Sequence, residues 1–433
     1  MRQEYAICRM LISYSARQIW PICDRGSPLG FSSALAESDS GGCVKHFSWP
    51  IIVIDDRFNV LLNETDMKLI GKVHRLRHHQ AAVAKALVFA ILISCANATG
   101  TLYAATIAEV AAKIRSLKPQ ERTGYLLKGA QAEGELVYYG TLPIDEFLPL
   151  ARVFNGRYRS IAMQHYFSPR DGILSRTLTE ARAGRHATDV IQVDLSYGYQ
   201  LLNANLVQPQ PIAGAKRFYD GTYDPDGYWH SMYYLTTALI YNTNSIKGEQ
   251  APKSYDELLS PAWKGKMLFD PEAGYILAAM EESWGREKAV AYLTKLAKQD
   301  LSYRRGGTLT TQVVTSGEYP VGIAINGETS AAIREKGAPL GFKVLAPTIV
   351  KPEGLFLAKN APHPHAALLF VEWVLSDEAQ SFLATSLGKG SAMKGVRSKF
   401  KDFQVKPDFV VSPKLGANLQ NYIQDFRKIM GAP

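Results

Sequence analysis

From Glu135 onward the hydrophobic period of this chain switches repeatedly between two and 3.6 residues, and that alternation restricts the fold more than any other feature. Leu136-Val137-Tyr138-Tyr139 reads as a buried strand closed by Gly140. A helix over 143–155 follows, with Ile144, Phe147, Leu148, Ala151 and Phe154 on one face. The pattern repeats as a strand at 161–167, a helix over 171–183 stopped by Gly184, a strand at 189–193 and a helix over 197–205. Strands separated by helices of this length are βαβ units, which give a parallel sheet covered on both faces.

Upstream, Thr106-Ile107-Ala108-Glu109 is a capping box that opens a helix through Leu117. Pro119 opens a second helix ending near Gly134. The stretch 209–230, rich in Pro, Gly, Asp and aromatics, reads as a long ordered loop before a strand at 235–241. A second α/β unit occupies 253–346, with strands at 265–269 and 321–325, a long helix over 276–299, and helices after Gly307 and Gly327. Pro347 and Pro352 bracket a crossing to a strand at 354–358. Helices over 366–375, 377–387 and 415–430 complete the chain. One α/β lobe begins, a second is inserted into it, and the chain returns to the first. The expected division is 99–234 for the first lobe, 235–350 for the inserted lobe, and 351–433 for the completion and C-terminal helices. Two strands crossing between lobes make a hinge with a cleft.

The first 98 residues have a different character. Ala86–Ser94 (ALVFAILIS) is preceded by Lys68, Lys72, Arg75, Arg77 and Lys85 and followed by Cys95-Ala96-Asn97-Ala98. A basic flank, a short apolar run and an A-x-A step form a cleavable export signal. As a helix the run rises about 14 Å, well short of a hydrocarbon core of about 30 Å. Met67 stands where a start belongs, so 1–66 reads as a mis-set start or leader and 67–98 as the signal peptide. Leu92-Ile93-Ser94-Cys95 also fits a lipoprotein box in which Cys95 carries the lipid, and both readings stay open. All 4 cysteines precede residue 99. The exported part then has no thiolate metal site, thiol nucleophile or disulfide, which suits an oxidising compartment.

Charge narrows the function further. Residues 1–98 hold 11 of the 49 basic and 8 of the 40 acidic residues, leaving 38 and 32 and a net charge of +6. No basic stripe with interleaved aromatics exists to hold nucleic acid. Catalytic signatures are missing as well: H-E-x-x-H, G-x-S-x-G, G-x-x-x-x-G-K, and G-x-G-x-x-G after a strand. A chain of 335 residues from Thr99 exceeds what one core holds, in keeping with two lobes.

Several stretches in their order carry a resemblance. They are 135–141 (ELVYYGT), Phe154-Asn155-Gly156-Arg157-Tyr158, 180–190 (EARAGRHATDV), 239–244 (LIYNTN), 254–266 (SYDELLSPAWKGK), 316–323 (SGEYPVGI), Lys336-Gly337-Ala338-Pro339 and 371–383 (VEWVLSDEAQSFL). Over about 134–430 the chain resembles the family 1 extracellular solute-binding proteins of ABC importers, in the branch of ferric-iron-binding proteins. That resemblance implies the type II periplasmic binding protein fold, an α/β architecture of two lobes joined by two hinge strands. Two departures matter. Where ferric binders place adjacent tyrosines after the second-lobe strand, this chain reads Asn326-Gly327-Glu328-Thr329. Where the family often has an arginine pair before the hinge strand, it reads Leu235-Thr236-Thr237. Iron(III) is a hard cation that favours anionic oxygens such as phenolates.

Independently of the family, ligands in open α/β sheets lie beyond the carboxyl ends of strands, beside helix N-termini that attract anions. The candidates are Thr141, Ser168, Arg170, Asp194, Tyr275, Arg305, Thr308, Asn326 and Glu328. Thr141, Ser168 and Asp194 also fit as helix caps, and Arg170 as a solvated surface residue. Arg304-Arg305-Gly306-Gly307-Thr308 resembles an anion nest. His363-Pro364-His365 reads as a polar helix start rather than a metal site. Of the aromatics Tyr223, Tyr228, Trp229, Tyr233 and Tyr234, lobe packing accounts for most, with one or two stacking on a ligand. The expectation is a monomeric periplasmic protein, without cofactor or catalysis, that captures a small organic anion. It delivers this ligand to the membrane permease of an ABC importer, and touches the membrane only there or through lipid on Cys95. Ferric iron with a synergistic anion, a polyamine, and a secreted enzyme on the same scaffold are the alternatives.

Overall fold

The computed structural model describes residues 105–212 and 214–433. The readings of 1–98, including the signal, Met67 and Cys95, lie outside the described residues.

The chain opens with α1 (Ile107–Ser116), whose capping box is formed by Thr106 and Glu109, and α2 (Pro119–Glu133), closed by Gly134 in the left-handed region. Then come β1 (Glu135–Gly140), α3 (Ile144–Arg157), β2 (Ala162–Phe167), α4 (Arg170–Arg182), β3 (Val190–Asp194) and α5 (Leu195–Asn203). β1 pairs in parallel with both β2 and β3, the βαβ arrangement that the sequence periods require. Helices α3 and α4 bury Phe147, Leu150, Phe154, Ile173 and Leu174 against this sheet.

Strand β4 (His230–Asn242) is the long shared element. The second lobe follows as β5 (Met267–Phe269), α6 (Gly274–Trp284), α7 (Arg286–Ala297), β6 (Ser302–Tyr303), α8 (Gly307–Ser316), β7 (Val321–Asn326), α9 (Gly327–Glu335) and β8 (Leu340–Lys343). The chain returns along β9 (Ile349–Leu357) and ends with α10 (Pro364–Val374), α11 (Asp377–Thr385), β10 (Phe409–Val410), α12 (Pro413–Gly416) and α13 (Leu419–Met430). The strand order is β2-β1-β3-β9-β4-β7-β5-β6, with β8 on β4 and β10 on β9. Residues 230–236 of β4 pair antiparallel with β9, while 237–241 pair antiparallel with β7. The strand therefore changes sheets in mid-course. One core holds Tyr138, Phe154, Phe356 and Phe370; another holds Phe269, Leu277, Leu293 and Phe426; a third, on the opposite face of the second lobe, holds Ile240, Val314, Ile325 and Phe403.

The structure departs from the sequence reading at four places. β4 starts at His230, five residues before the expected strand, because the aromatic run pairs with β9. β9 runs through Pro352 instead of starting after it. Opposite Pro352, Tyr234 directs its backbone N–H and carbonyl to Gly390, so the missing proline N–H leaves no group unpaired. The expected helix over 276–299 is two helices, broken at Gly285 (φ 84°, ψ 149°), a conformation open to glycine alone. The last helix divides after Gly416, and α13 finishes on the second lobe rather than near the first. Its Phe426 packs on Phe269 and its Met430 carbonyl accepts from the Tyr303 hydroxyl (2.8 Å).

At the end of the first-lobe sheet where β3 begins, Asp189 is fully buried and ties three elements together. It accepts from Val137 N (2.6 Å) and His363 N (2.7 Å) and meets His363 Nδ1 (2.9 Å). His365 meets Glu133 in the same manner (2.6 Å). The two histidines thus hold the start of α10, His363 onto the sheet and His365 onto the end of α2. Asp189→Ala leaves two amides and an imidazole unpartnered and is expected to cost about 3–5 kcal/mol, read from urea unfolding. The hydrogen bond to Asp189 raises the His363 pKa above the ordinary 6.5. Its contribution is complete below the unfolded value and is lost as pH rises through the folded one. The difference in thermal midpoint between wild type and His363→Gln should therefore narrow as pH rises above about 6.5; a constant difference would exclude a charged His363.

Candidate functional site

The carboxyl ends of β1, β3, β5 and β7 deliver their loops to the same face, where the two lobes meet across a cleft. An inner cavity of about 110 Å³ is bordered by Arg170, Asp194 and Tyr197 of the first lobe, Asp270, Tyr275 and Asn326 of the second, and Lys351 on β9. It opens into a wider compartment of about 500 Å³ lined by Thr141, Phe167, Asp171, Arg305 and Glu353, with Arg170, Asp194 and Gly306 on the border of both. Residues Val411, Leu419 and Ile423 of the C-terminal segment close one wall.

Besides Arg305, two cations face this space. The Arg170 guanidinium lies 4.7 Å from the Tyr197 ring centroid, and Lys351 Nζ lies 4.9 Å from that of Tyr275. Neither makes an ion pair with a described residue. Desolvation in the cleft lowers the Lys351 pKa. Tyr275 donates its hydroxyl to the Ala324 carbonyl (3.0 Å), and Ala324 presents that carbonyl from a left-handed conformation (φ 66°). An L-residue there costs roughly 1–2 kcal/mol.

The carboxylates are mostly engaged. Asp194 accepts from Ser196 N (2.9 Å) and the Ser196 hydroxyl, capping α5. Asp270 accepts from Glu272 N (2.9 Å) and Gly306 N (3.2 Å). Glu272 pairs with Arg305 (3.0 Å) and Arg427 (3.4 Å). Glu353 receives the Gln192 amide and the Thr141 hydroxyl (3.2 Å). Desolvation first, and Asp194 second, push its pKa up to about 7.

Residues 152–409, more than half of the chain, match the sequence profile of the bacterial extracellular solute-binding protein family. The chain belongs to this family. It is 25% identical over 272 residues to "Iron uptake protein A1" of Synechocystis sp., covering 58% of this chain and 74% of that one. It is 26% identical over 199 residues to the "Fe(3+)-binding periplasmic protein" of Serratia marcescens, covering 42% and 57%. The crystal structure of iron-bound HitA from Pseudomonas aeruginosa superposes with a TM-score of 0.57 at 20% identity, covering 67% of this chain and 99% of HitA. The architecture is thus the two-lobed periplasmic binding protein fold, with hinge strands β4 and β9. This solute-binding protein is a binding component of an ABC importer and not an enzyme.

Within the cleft of this solute-binding protein, the structure brings together Thr141, Arg170, Asp194, Tyr275, Arg305 and Asn326. Three expected residues stand elsewhere. Ser168 turns its hydroxyl toward Gly172 in the first turn of α4. Thr308 is exposed on α8 and borders neither compartment. Glu328 is buried behind the cleft, where it accepts from Thr236 N (2.7 Å) and the Thr236 hydroxyl (2.8 Å). The expected anion nest is also filled from within: Gly306 N binds Asp270, and Arg305 binds Glu272. No aromatic of the 223–234 group borders either compartment; Tyr233, Tyr234 and Trp229 are buried in the fold, and the rings at the cleft are Tyr197, Tyr275 and Phe167. Lys351 and Glu353 escaped the sequence reading because the strand was started after Pro352. Their signal was the two-residue spacing around that proline, which sets both on one face of a strand.

Burial pushes the Glu328 pKa up to about 7. The folded state then holds a proton that the unfolded chain releases near 4.5, so wild type loses stability as pH rises between these values. In Glu328→Gln the amide keeps an acceptor for Thr236 N and a donor for the hydroxyl. The variant should gain stability relative to wild type between about pH 5 and about pH 8; a pH-independent difference in unfolding midpoints would refute this.

Proposed function

We propose that the cleft captures a small organic anion through Arg170 and Lys351, and that the loaded protein presents it to the membrane permease. The carrying observation is the pair of cations without ion-pair partners beside carboxylates that are engaged as caps or in pairs. Charge-assisted bonds from arginine and lysine are the strong contacts available to a carboxylate or phosphate. The N-termini of α4, α5 and α8 border the same space and favour the same sign. Arg170 belongs to the first lobe, Asn326 to the second and Lys351 to the hinge strand. An anion touching all three binds the closed form preferentially and shifts the population toward it.

Ferric iron is the second reading, supported by the names of the relatives. The cleft offers two phenols for it, Tyr197 and Tyr275. Desolvation raises the pKa of both, and the Tyr275 hydroxyl is already donated to Ala324. These features support the anion over the metal.

A thermal-shift screen with carboxylates, phosphates, a ferric salt with carbonate, and polyamines separates the classes. A ligand at about 100 times its dissociation constant adds about 2.7 kcal/mol of stability. Arg170→Ala and Lys351→Ala are each expected to weaken anion binding by about 1.5–3 kcal/mol, roughly ten- to a hundredfold in dissociation constant. Arg305→Ala, already paired with Glu272, should change it by no more than about twofold. Stabilisation by iron alone, with a visible tyrosinate–iron absorption band, would replace the anion reading with the ferric one.

A further inference from the structure

The two cations do not account for the acceptors that stand beside them. Asp194 gives Oδ1 to its own helix start, and its Oδ2 receives no bond from a described residue. Glu353 takes both of its bonds on Oε2, leaving Oε1 open. Asp171, exposed in the first turn of α4 at the mouth, receives none. A carboxylate offers about four lone-pair sites, so all three residues keep accepting capacity, and all three line the cleft. A ligand that is only anionic meets the oxygens of Asp194 and Asp171 as like charges. A compact cation needs acids that converge on one point, and among the described residues no three His, Cys, Asp or Glu side chains are placed to surround an ion. The three carboxylates instead come one each from β3, α4 and β9. Separated acceptors are satisfied singly, by donors spaced along a chain.

The compartments order such a chain. Lys351 borders the inner cavity and Glu353 the outer one, with Arg170 and Asp194 on the border of both. Lys351 and Glu353 are two positions apart on one strand face, about 7 Å, a span suited to a chain of about five or six carbons. Resting on the anion reading above, we propose that the ligand is a hydroxylated organic anion, a polyol bearing one carboxylate or phosphate. Lys351 and Arg170 hold its anionic group in the inner cavity. Its hydroxyls donate outward to Asp194, Glu353 and Asp171.

Matched pairs of probes test this by isothermal titration calorimetry on the purified protein: gluconate against hexanoate, and sorbitol 6-phosphate against hexyl phosphate, with 6-aminohexanoate as an amine control. The hydroxylated member of at least one pair should bind ten or more times tighter than its bare counterpart, since a site built to bond hydroxyls discriminates strongly against analogues lacking them. Asp194→Asn keeps an effective helix cap. It should cut that preference to about threefold or less, because a charged acceptor bonds a hydroxyl more strongly than an amide does. Equal binding of hydroxylated and bare anions overturns the polyol inference and leaves the anion reading standing. Preference for 6-aminohexanoate overturns it in favour of an amine-bearing ligand. Failure of every anion, with binding of a ferric salt or a polyamine, overturns both readings.

Discussion

The structure depends on the point where β4 leaves one sheet for another. Through Thr236 the strand pairs with β9, and from Thr237 it pairs with β7. A strand that changes partners inside the protein risks an orphaned amide, which costs about 1–3 kcal/mol if left unpaired. Glu328 supplies the acceptor, taking Thr236 N and the Thr236 hydroxyl together. The carboxylate comes from the first turn of α9, directly after β7, so a helix of the second lobe grips the strand that both lobes share. Gly327 makes that grip possible: a Cβ there would lie 2.3 Å from the Phe403 ring. Burial of the acid is costly, as its raised pKa shows, and two hydrogen bonds partly offset it.

The cleft chemistry follows from this crossover. Leu235 lies opposite Lys351 and Tyr233 opposite Glu353 in the β4–β9 ladder. The hinge strand itself therefore carries a cation and an acid to the boundary between lobes. Strand ends add the rest: Asp194 closes β3, and Asn326 closes β7. Helix caps and ion pairs engage most of the carboxylates in local structure, while Arg170 and Lys351 rest against aromatic faces and make no ion pair with a described residue. Cation–π contact of this kind is worth about 0.5–2 kcal/mol, less than a buried ion pair with a ligand can supply. The cations are held in place and remain available.

Much of this was legible in the sequence, because helix and strand periods are local and the strand-end rule is geometric. Thr141, Arg170, Asp194, Tyr275, Arg305 and Asn326 were reachable in that way. What stayed hidden is pairing over distance. The glycines after Arg305 look like an anion nest until Asp270, 36 residues earlier, is found bonded to Gly306 N. Glu328 looks like a cleft residue until Thr236, 92 positions away, is found on its carboxylate. Lys351 was missed for a different reason. A proline ordinarily ends a strand, and only the contact between Tyr234 and Gly390 shows why this one does not.

The C-terminal segment adds a constraint that two hinge strands alone would not impose. α12 approaches the first lobe so closely that a Cβ on Gly416 would lie 2.1 Å from the Ser196 carbonyl oxygen at the start of α5. α13 approaches the second lobe as closely, a Cβ on Gly274 of α6 falling 2.6 Å from Ile423 N. Both ends of this tether are seated by glycine contacts that leave no slack. Between them Asn418 interrupts the helix (φ −116°, ψ 4°). Any change in angle between the lobes has to be absorbed by β4, by the approach to β9 and by this third connection together. Because Leu419 and Ile423 also line the inner cavity, the same segment that restrains the lobes forms a wall of the space proposed for the ligand. The inner cavity at Lys351 is thus bounded by first lobe, second lobe, hinge strand and tether at once, which is the condition for a small ligand held there to have a large differential affinity for the closed form.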